Sequence, residues 1–446
     1  MNFIGHGSLG IAEDEGGDLT CEPSNEQPLP VPPHLRHFLF IGGPFGPFSR
    51  RLGRNLKSAG ARVTHVTVHG GDLLDWGWRD NAVFRGGIGE WESWIGRFLQ
   101  SQGVSDIITY GDCGTYASPA LRQAKQLGIA RHVFELGYFR PDWVTLERNG
   151  VNGFSSLPRE PSFYRNTDLS EHRYPADPVG RIMPYHVWYS IRHCLFHYAG
   201  SAFFRHFTAP WPDSPLRQAV GYLSRFAIDR FSRGKVREAE RELLSSKRPF
   251  FLCTLQKPGD TQLSIHSVYK RLSPFIEHVA QNFAEFAPPD ARLVFKAHPL
   301  DNGTEGPKRT VVEAAERFGL GDRLVYLPSG SLSRLTQKAM GVVTVNSTAG
   351  LAALHMGRPT ITLGNAFYDL EGLTHQGSLS RFWTAPQPPD RDLFLRFRAV
   401  VMARTQINGS YYAPRGREMA LPEATRRLLE NVPETPADRP EVERAA

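Results

Sequence analysis

The residues best suited to chemistry stand where short strand-like runs end. His37–Ile41 runs into Gly42-Gly43-Pro44-Phe45-Gly46-Pro47, and Arg62–Val68 runs into His69-Gly70-Gly71-Asp72. Asp106–Tyr110 precedes Gly111-Asp112-Cys113, and Arg131–Glu135 closes on Glu135-Leu136-Gly137-Tyr138. In open α/β sheets ligands sit beyond the C-terminal ends of the strands. Asp72, Asp112 and Glu135 are therefore candidate catalytic carboxylates, expected at solvated strand ends and converging on one cleft. Gly43 and Gly46 are candidates for letting a substrate approach the backbone.

A second set lies further along the chain. Lys296-Ala297-His298-Pro299 ends another apolar run, and the proline forces an extended exit that presents His298. Val345-Asn346-Ser347-Thr348 runs straight from a strand into a helix, with Asn346 or Ser347 as N-cap. Free N–H groups and the helix dipole favour an anion there, so Lys296, His298, Asn346, Ser347 and Thr348 read as a phosphate-binding group. A plain N-cap explains the same residue types without a ligand. Walker A, CxxC and HExxH patterns are absent, and no metal is expected. The four cysteines, Cys21, Cys113, Cys194 and Cys253, are scattered as in a reduced protein.

Elements that would position these residues follow the strand–helix–strand rhythm of a parallel sheet with crossover helices. The rhythm occupies 37–153, lapses across a mostly helical middle, and returns at Pro249 with strands at 250–255, 293–297, 324–326, 341–345 and 360–363. The division is a lead-in over 1–36, a first Rossmann-like domain over 37–180, a connector over 181–248, a second Rossmann-like domain over 249–390, and C-terminal helices with a tail over 391–446. Of 446 residues, 40% are hydrophobic and 22% charged, enough for sizeable cores, and the net charge is +7. The connector is basic and rich in aromatics, which suits anionic lipid or a phosphorylated substrate; a solvated helical face is the plain alternative. Neither a secretory signal nor a run long enough to span a membrane is evident.

Taken in order, these strings resemble the KpsS/LipB-like family of capsule-polysaccharide proteins. The matching stretches are Gly43–Phe48, His69–Asp72, Tyr110–Cys113, Glu135–Asp142, Asp260-Thr261-Gln262 with His266-Ser267, Phe295–Asp301, Val343–Thr348 and Leu373–Leu379, over roughly residues 37–412. The resemblance implies a GT-B-like fold, with two Rossmann-like domains facing a cleft, and retaining transfer of β-Kdo from CMP-Kdo to lyso-phosphatidylglycerol. Lys296, His298 and Pro299, with Asn346, Ser347 and Thr348, would hold the CMP-sugar donor. Arg140, Gln262 and His266 are further substrate-binding candidates, with Arg140 or Lys296 suited to the Kdo carboxylate. The implied protein is cytoplasmic, peripheral at the inner leaflet, and works with a phospholipid acceptor and other capsule assembly proteins rather than nucleic acid. Related transferases place a second acid after the glutamate, where this chain has Leu136. That departure leaves the nucleophile to Glu135, Asp112 or Asp72, and keeps open another nucleotide-sugar enzyme or a non-catalytic assembly or export factor.

Overall fold

The computed structural model describes residues 32–169, 176–209, 230, 234–257, 259, 263, 265–299, 301 and 306–430. Strand β1 (His37–Ile41) is buried along its whole length, as a central parallel strand covered on both faces must be. It pairs in parallel with β2 (Arg62–Thr67) on one side and β4 (Asp106–Tyr110) on the other. Strand β3 (Asn81–Val83) extends the sheet beyond β2, and β5 (Ala130–Leu136) extends it beyond β4. Strand β6 (Trp143–Arg148) then turns back antiparallel to β5. The second sheet, in the order β11-β10-β7-β8-β9, is parallel throughout: β7 (Phe250–Thr254), β8 (Arg292–Lys296), β9 (Leu324–Leu327), β10 (Gly341–Thr344) and β11 (Thr360–Thr362).

Helices cover both sheets through apolar stripes at helical spacing. Phe48, Leu52 and Leu56 are the buried face of helix Phe48–Ser58, and Phe275, Ile276, Val279 and Phe283 that of helix Leu272–Phe286. The chain thus forms the α/β pair of Rossmann-like sheets expected from the sequence. A separate apolar cluster joins the halves, with Tyr138, Leu157 and Tyr164 packed among Phe367, Tyr368, Leu393, Phe394 and Phe397. The C-terminal segment, expected as helices and a tail, returns to the first half. Strand β12 (Gln406–Asn408) pairs antiparallel with β6, and helix Pro414–Leu429 packs on helix Phe48–Ser58.

The connector is likewise more than a link. Helix Met183–Ala199 lies against helix Gly70–Trp76, with Tyr189 and His193 buried on its inner side. A Cβ at Gly46, whose φ is +101°, would come within 2.9 Å of the Tyr189 ring, so glycine is required there for helix packing.

Beneath β4, Asp106 collects Arg36 Nε at 3.0 Å, His132 Nε2 at 2.8 Å and Ser105 Oγ at 2.7 Å. Burial alone would raise this carboxyl, but hydrogen bonds from His132 and Arg36 hold it far below the usual range. Arg36 also donates to Leu429 O at 3.1 Å, tying the start of the first sheet to the last helix. Removing the charge leaves a buried guanidinium without its counterion. Asp106→Asn should therefore destabilise the fold by about 3 kcal/mol, measurable as a lower urea midpoint with an unchanged slope.

Candidate functional site

The C-terminal ends of β4 and β5 bring Asp112 and Glu135 together. Gly111 has φ +72°, the left-handed conformation that favours glycine, and its Cβ position lies in ordinary contact with Glu135 Oε2, at 3.7 Å. Glu135 is half-buried, with Oε1 accepting from the Leu136 N–H at 2.8 Å, and its charge bears on Tyr110, Tyr411 and Tyr412. Asp112 accepts from the Val151 N–H at 2.8 Å and from Cys113 Sγ at 3.1 Å. The sequence reading placed these carboxylates in solvent, and that is corrected: Asp112 is 5% exposed and Asp72 9%. Loop and helix backbone close over strand ends that a linear pattern leaves open. Asp72 also parts from the other two, because it follows β2, on the far side of β1 from β4 and β5. It begins helix Gly70–Trp76, beside His69, and burial raises its carboxyl pKa.

Across the cleft stand the second sheet's strand ends. Lys296 is buried at the end of β8, His298 follows it, and Pro299 is exposed. Burial pushes the His298 imidazole down to about 4, and the charges of Arg140, Lys257 and Lys296 add to the effect. Positive charges of both halves therefore bear on one imidazole. Arg140 reaches it from the loop after Glu135, where its Nε donates to Gly137 O at 3.2 Å. Ser347 is the N-cap of helix Thr348–His355, accepting from the Ala349 N–H at 3.2 Å, while Asn346 Oδ1 accepts from Gln256 Nε2 at 2.9 Å. Gln262 lies outside the described residues.

His266 is the second half's residue that reaches Asp112. Its Nε2 lies 3.4 Å from Cys113 Sγ, and its ring stands edge-on to Phe154, with centroids 4.4 Å apart. The backbone of Asn365 donates to His266 O at 2.7 Å, and its amide donates to Gly153 O at 3.1 Å. The Gly150–Phe154 loop is thereby the joint at which the halves meet. Gly43, meanwhile, lines a cavity of about 260 Å³ beyond β1, β2 and β4, shared with Asp72, His69, Tyr110, Tyr412 and His193.

Sequence reasoning missed Lys257, Asp75, His193 and Glu147. Asp75 follows Asp72 at helical spacing, a signal that was available; Lys257 and His193 carried none. Glu147 lies inside a strand and acts from beneath the joint. It accepts hydrogen bonds from Tyr138 Oη and Ser155 Oγ, while Asn152 N–H donates to Tyr138 Oη at 2.8 Å. Burial raises Glu147 to about 7, against those hydrogen bonds and with help from Asp112.

A carboxyl raised on folding binds its proton more tightly in the native state, so its stabilising contribution is full below the unfolded value and lost as pH rises through about 7. Glu147→Gln mimics the protonated form. Its stability relative to wild type should grow between about pH 4.5 and pH 8, approaching 3 kcal/mol as an order of magnitude, read from urea unfolding at each pH. A constant difference would show that Glu147 does not titrate in this range.

A family model described as "capsule polysaccharide biosynthesis protein" matches residues 105–412. The chain is 32% identical over 383 residues to the Escherichia coli capsule polysaccharide export protein KpsS, covering 84% of this chain and 97% of that protein. It is 31% identical over 401 residues to the capsule polysaccharide modification protein LipB of Neisseria meningitidis serogroup A, covering 84% and 92%. Among solved structures it is similar to the beta Kdo 2,7 transferase KpsC of Thermosulfurimonas dismutans, at 14% identity and a TM-score of 0.42, covering 88% of this chain and 98% of that one. With the family model spanning most of the chain and relatives above 30% identity along it, the protein belongs to the capsule polysaccharide biosynthesis family.

Proposed function

We propose that this protein is a retaining glycosyltransferase that moves β-Kdo from CMP-Kdo to lyso-phosphatidylglycerol, the first step of a capsule linker. The observation that carries the reading is the gathering of Arg140, Lys257 and Lys296 around His298, facing the strand ends that hold Glu135 and Asp112. A cytidine monophosphate leaving group develops charge as its bond to the sugar breaks, and preorganised cations stabilise that charge most where water is excluded. The donor's own carboxylate suits the guanidinium of Arg140. Glu135 attacks the anomeric carbon, CMP departs, and the acceptor hydroxyl then displaces the carboxylate, so that two inversions retain configuration. Leu136 does not supply a second acid; Asp112 does so from the neighbouring strand. The reaction needs no metal in this scheme.

The middle segment supports a membrane-surface site for the lipid acceptor. No helix among the described residues is long and apolar enough to cross a membrane. Helix Met183–Ala199, however, exposes Met183, Val187, Trp188, Ile191 and Leu195 on one side while its other side is packed. Such a face fits an interfacial helix lying in the headgroup region. Arg192, on the same helix, is paired with Asp75 at 2.8 Å.

In an assay of CMP release from CMP-Kdo with lyso-phosphatidylglycerol, Glu135→Gln should lose at least about 1000-fold in turnover while still binding CMP. His298→Ala should instead weaken CMP binding by about 10-fold. Near-normal turnover in Glu135→Gln with loss in Asp112→Asn would move the nucleophile to Asp112, and wild type without turnover would favour a non-catalytic assembly role. For the membrane, Trp188→Glu combined with Ile191→Glu should lower partition onto anionic liposomes by about 10-fold or more; equal sedimentation with the vesicles would make the helix face a plain surface.

A further inference from the structure

His193 sits on the inner side of helix Met183–Ala199 and is 3% exposed. Its Nδ1 lies 2.8 Å from Asp75 Oδ2, and Arg192 holds the other carboxylate oxygen at 2.8 Å. Burial would raise Asp75, but hydrogen bonds from His193, Gly46 N–H and Arg192 outweigh it and keep the carboxyl below its ordinary value. Asp75 is therefore an ionised acceptor, and the proton between the two residues belongs to Nδ1. That leaves Nε2, which is buried and has no hydrogen-bond partner among the described residues.

A buried ring nitrogen without a partner is costly, by about 1–3 kcal/mol, so one on a side chain that lines a cavity points to a polar group that arrives there. The cavity is the one of about 260 Å³ beyond β1, β2 and β4, with His193, Gly42, Gly43, Tyr110 and Tyr412 in its wall. Tyr110 lines it, and Glu135 Oε2 stands 3.7 Å from the Cβ position of the next residue, Gly111, so this cavity adjoins the proposed nucleophile. Its volume suits a polyol headgroup rather than a whole lipid. Neighbouring His69 cannot take the same role. Its Nδ1 accepts from Gly71 N–H at 3.1 Å, which puts the ring proton on Nε2, 3.3 Å from Asp72 Oδ1.

We infer that His193 is the general base for the acceptor hydroxyl, with Asp75 positioning it. The assignment rests on the transferase reading above and adds to it the acceptor side of the reaction. In the second displacement the acceptor O–H bond breaks as its oxygen bonds to the anomeric carbon. The proton goes to His193 Nε2, and the bond between sugar and carboxylate breaks with its electron pair returning to the carboxylate. Asp75 stabilises the imidazolium through Nδ1–H, and the proton leaves to solvent with the product. The titratable and charged groups around His193 are Asp72, Asp75 and His69 from the facing helix and its cap, and Arg192 and His197 from its own helix.

The test supplies full-length wild type, His193→Gln and Asp75→Asn with CMP-Kdo and lyso-phosphatidylglycerol, and quantifies both CMP released and lipid glycosylated across about pH 5 to pH 9. His193→Gln should lower the steady rate of lipid glycosylation by about 100-fold or more, keep the first equivalent of CMP released per enzyme, and flatten the acid limb of the transfer profile. Asp75→Asn should lower the steady rate less and displace the limb. An unchanged steady rate and profile in His193→Gln overturns the assignment while wild-type transfer leaves the transferase reading standing. Wild type that releases no CMP overturns both. Should His193→Gln fail to fold, as judged by circular dichroism, the limb of Asp75→Asn decides: an unmoved limb overturns the assignment.

Discussion

Tyr138 holds the two halves of the molecule in register. Its ring stacks on Phe367 of the second half at 4.2 Å between centroids, and its backbone N–H donates to Gln406 Oε1 at 2.9 Å. Its hydroxyl donates to buried Glu147 and accepts from the backbone of Asn152. One side chain thus joins the apolar cluster between the halves, the returning C-terminal strand and the loop that meets His266. A buried carboxyl is tolerated beneath it only because tyrosine and serine satisfy its oxygens, and partial neutralisation lowers the remaining desolvation cost. Loss of any member would free the Gly150–Phe154 loop and, with it, the partner that Asp112 needs.

The charges of the cleft follow from that geometry. Carboxylates line one bank and cations the other, and Arg140 crosses between them from the same loop that begins at Glu135. Burial strengthens every electrostatic contact in the cleft and also raises the cost of leaving one unmade. The imidazole of His298 answers by staying neutral across physiological pH among the positive charges of Arg140, Lys257 and Lys296. Helix Met183–Ala199 adds a second layer. Its inner face carries His193 to the cavity and its outer face leaves large apolar groups in solvent, so one element lines the cavity and presents an apolar surface.

Much of this was legible in the linear sequence. Apolar runs closed by glycine, proline and a polar residue mark parallel strands and their ligand-bearing ends, because a strand buried on both faces tolerates little else. Asn346 or Ser347 was the expected helix cap, and it is Ser347; the strings around Asp112, Glu135 and His298 were expected at strand ends. The strands β3, β6 and β12 were not legible, since none of them is a continuous apolar run of the kind that marked the others. Residue types and order, then, determined the two sheets and most of the candidate groups. Only the tertiary structure decided which of them meet: Asp112 and Cys113 with His266, and Asp75 with His193 from a helix over a hundred positions away. Burial and partner choice depend on contacts between segments distant in the chain, and a local pattern carries no information about those.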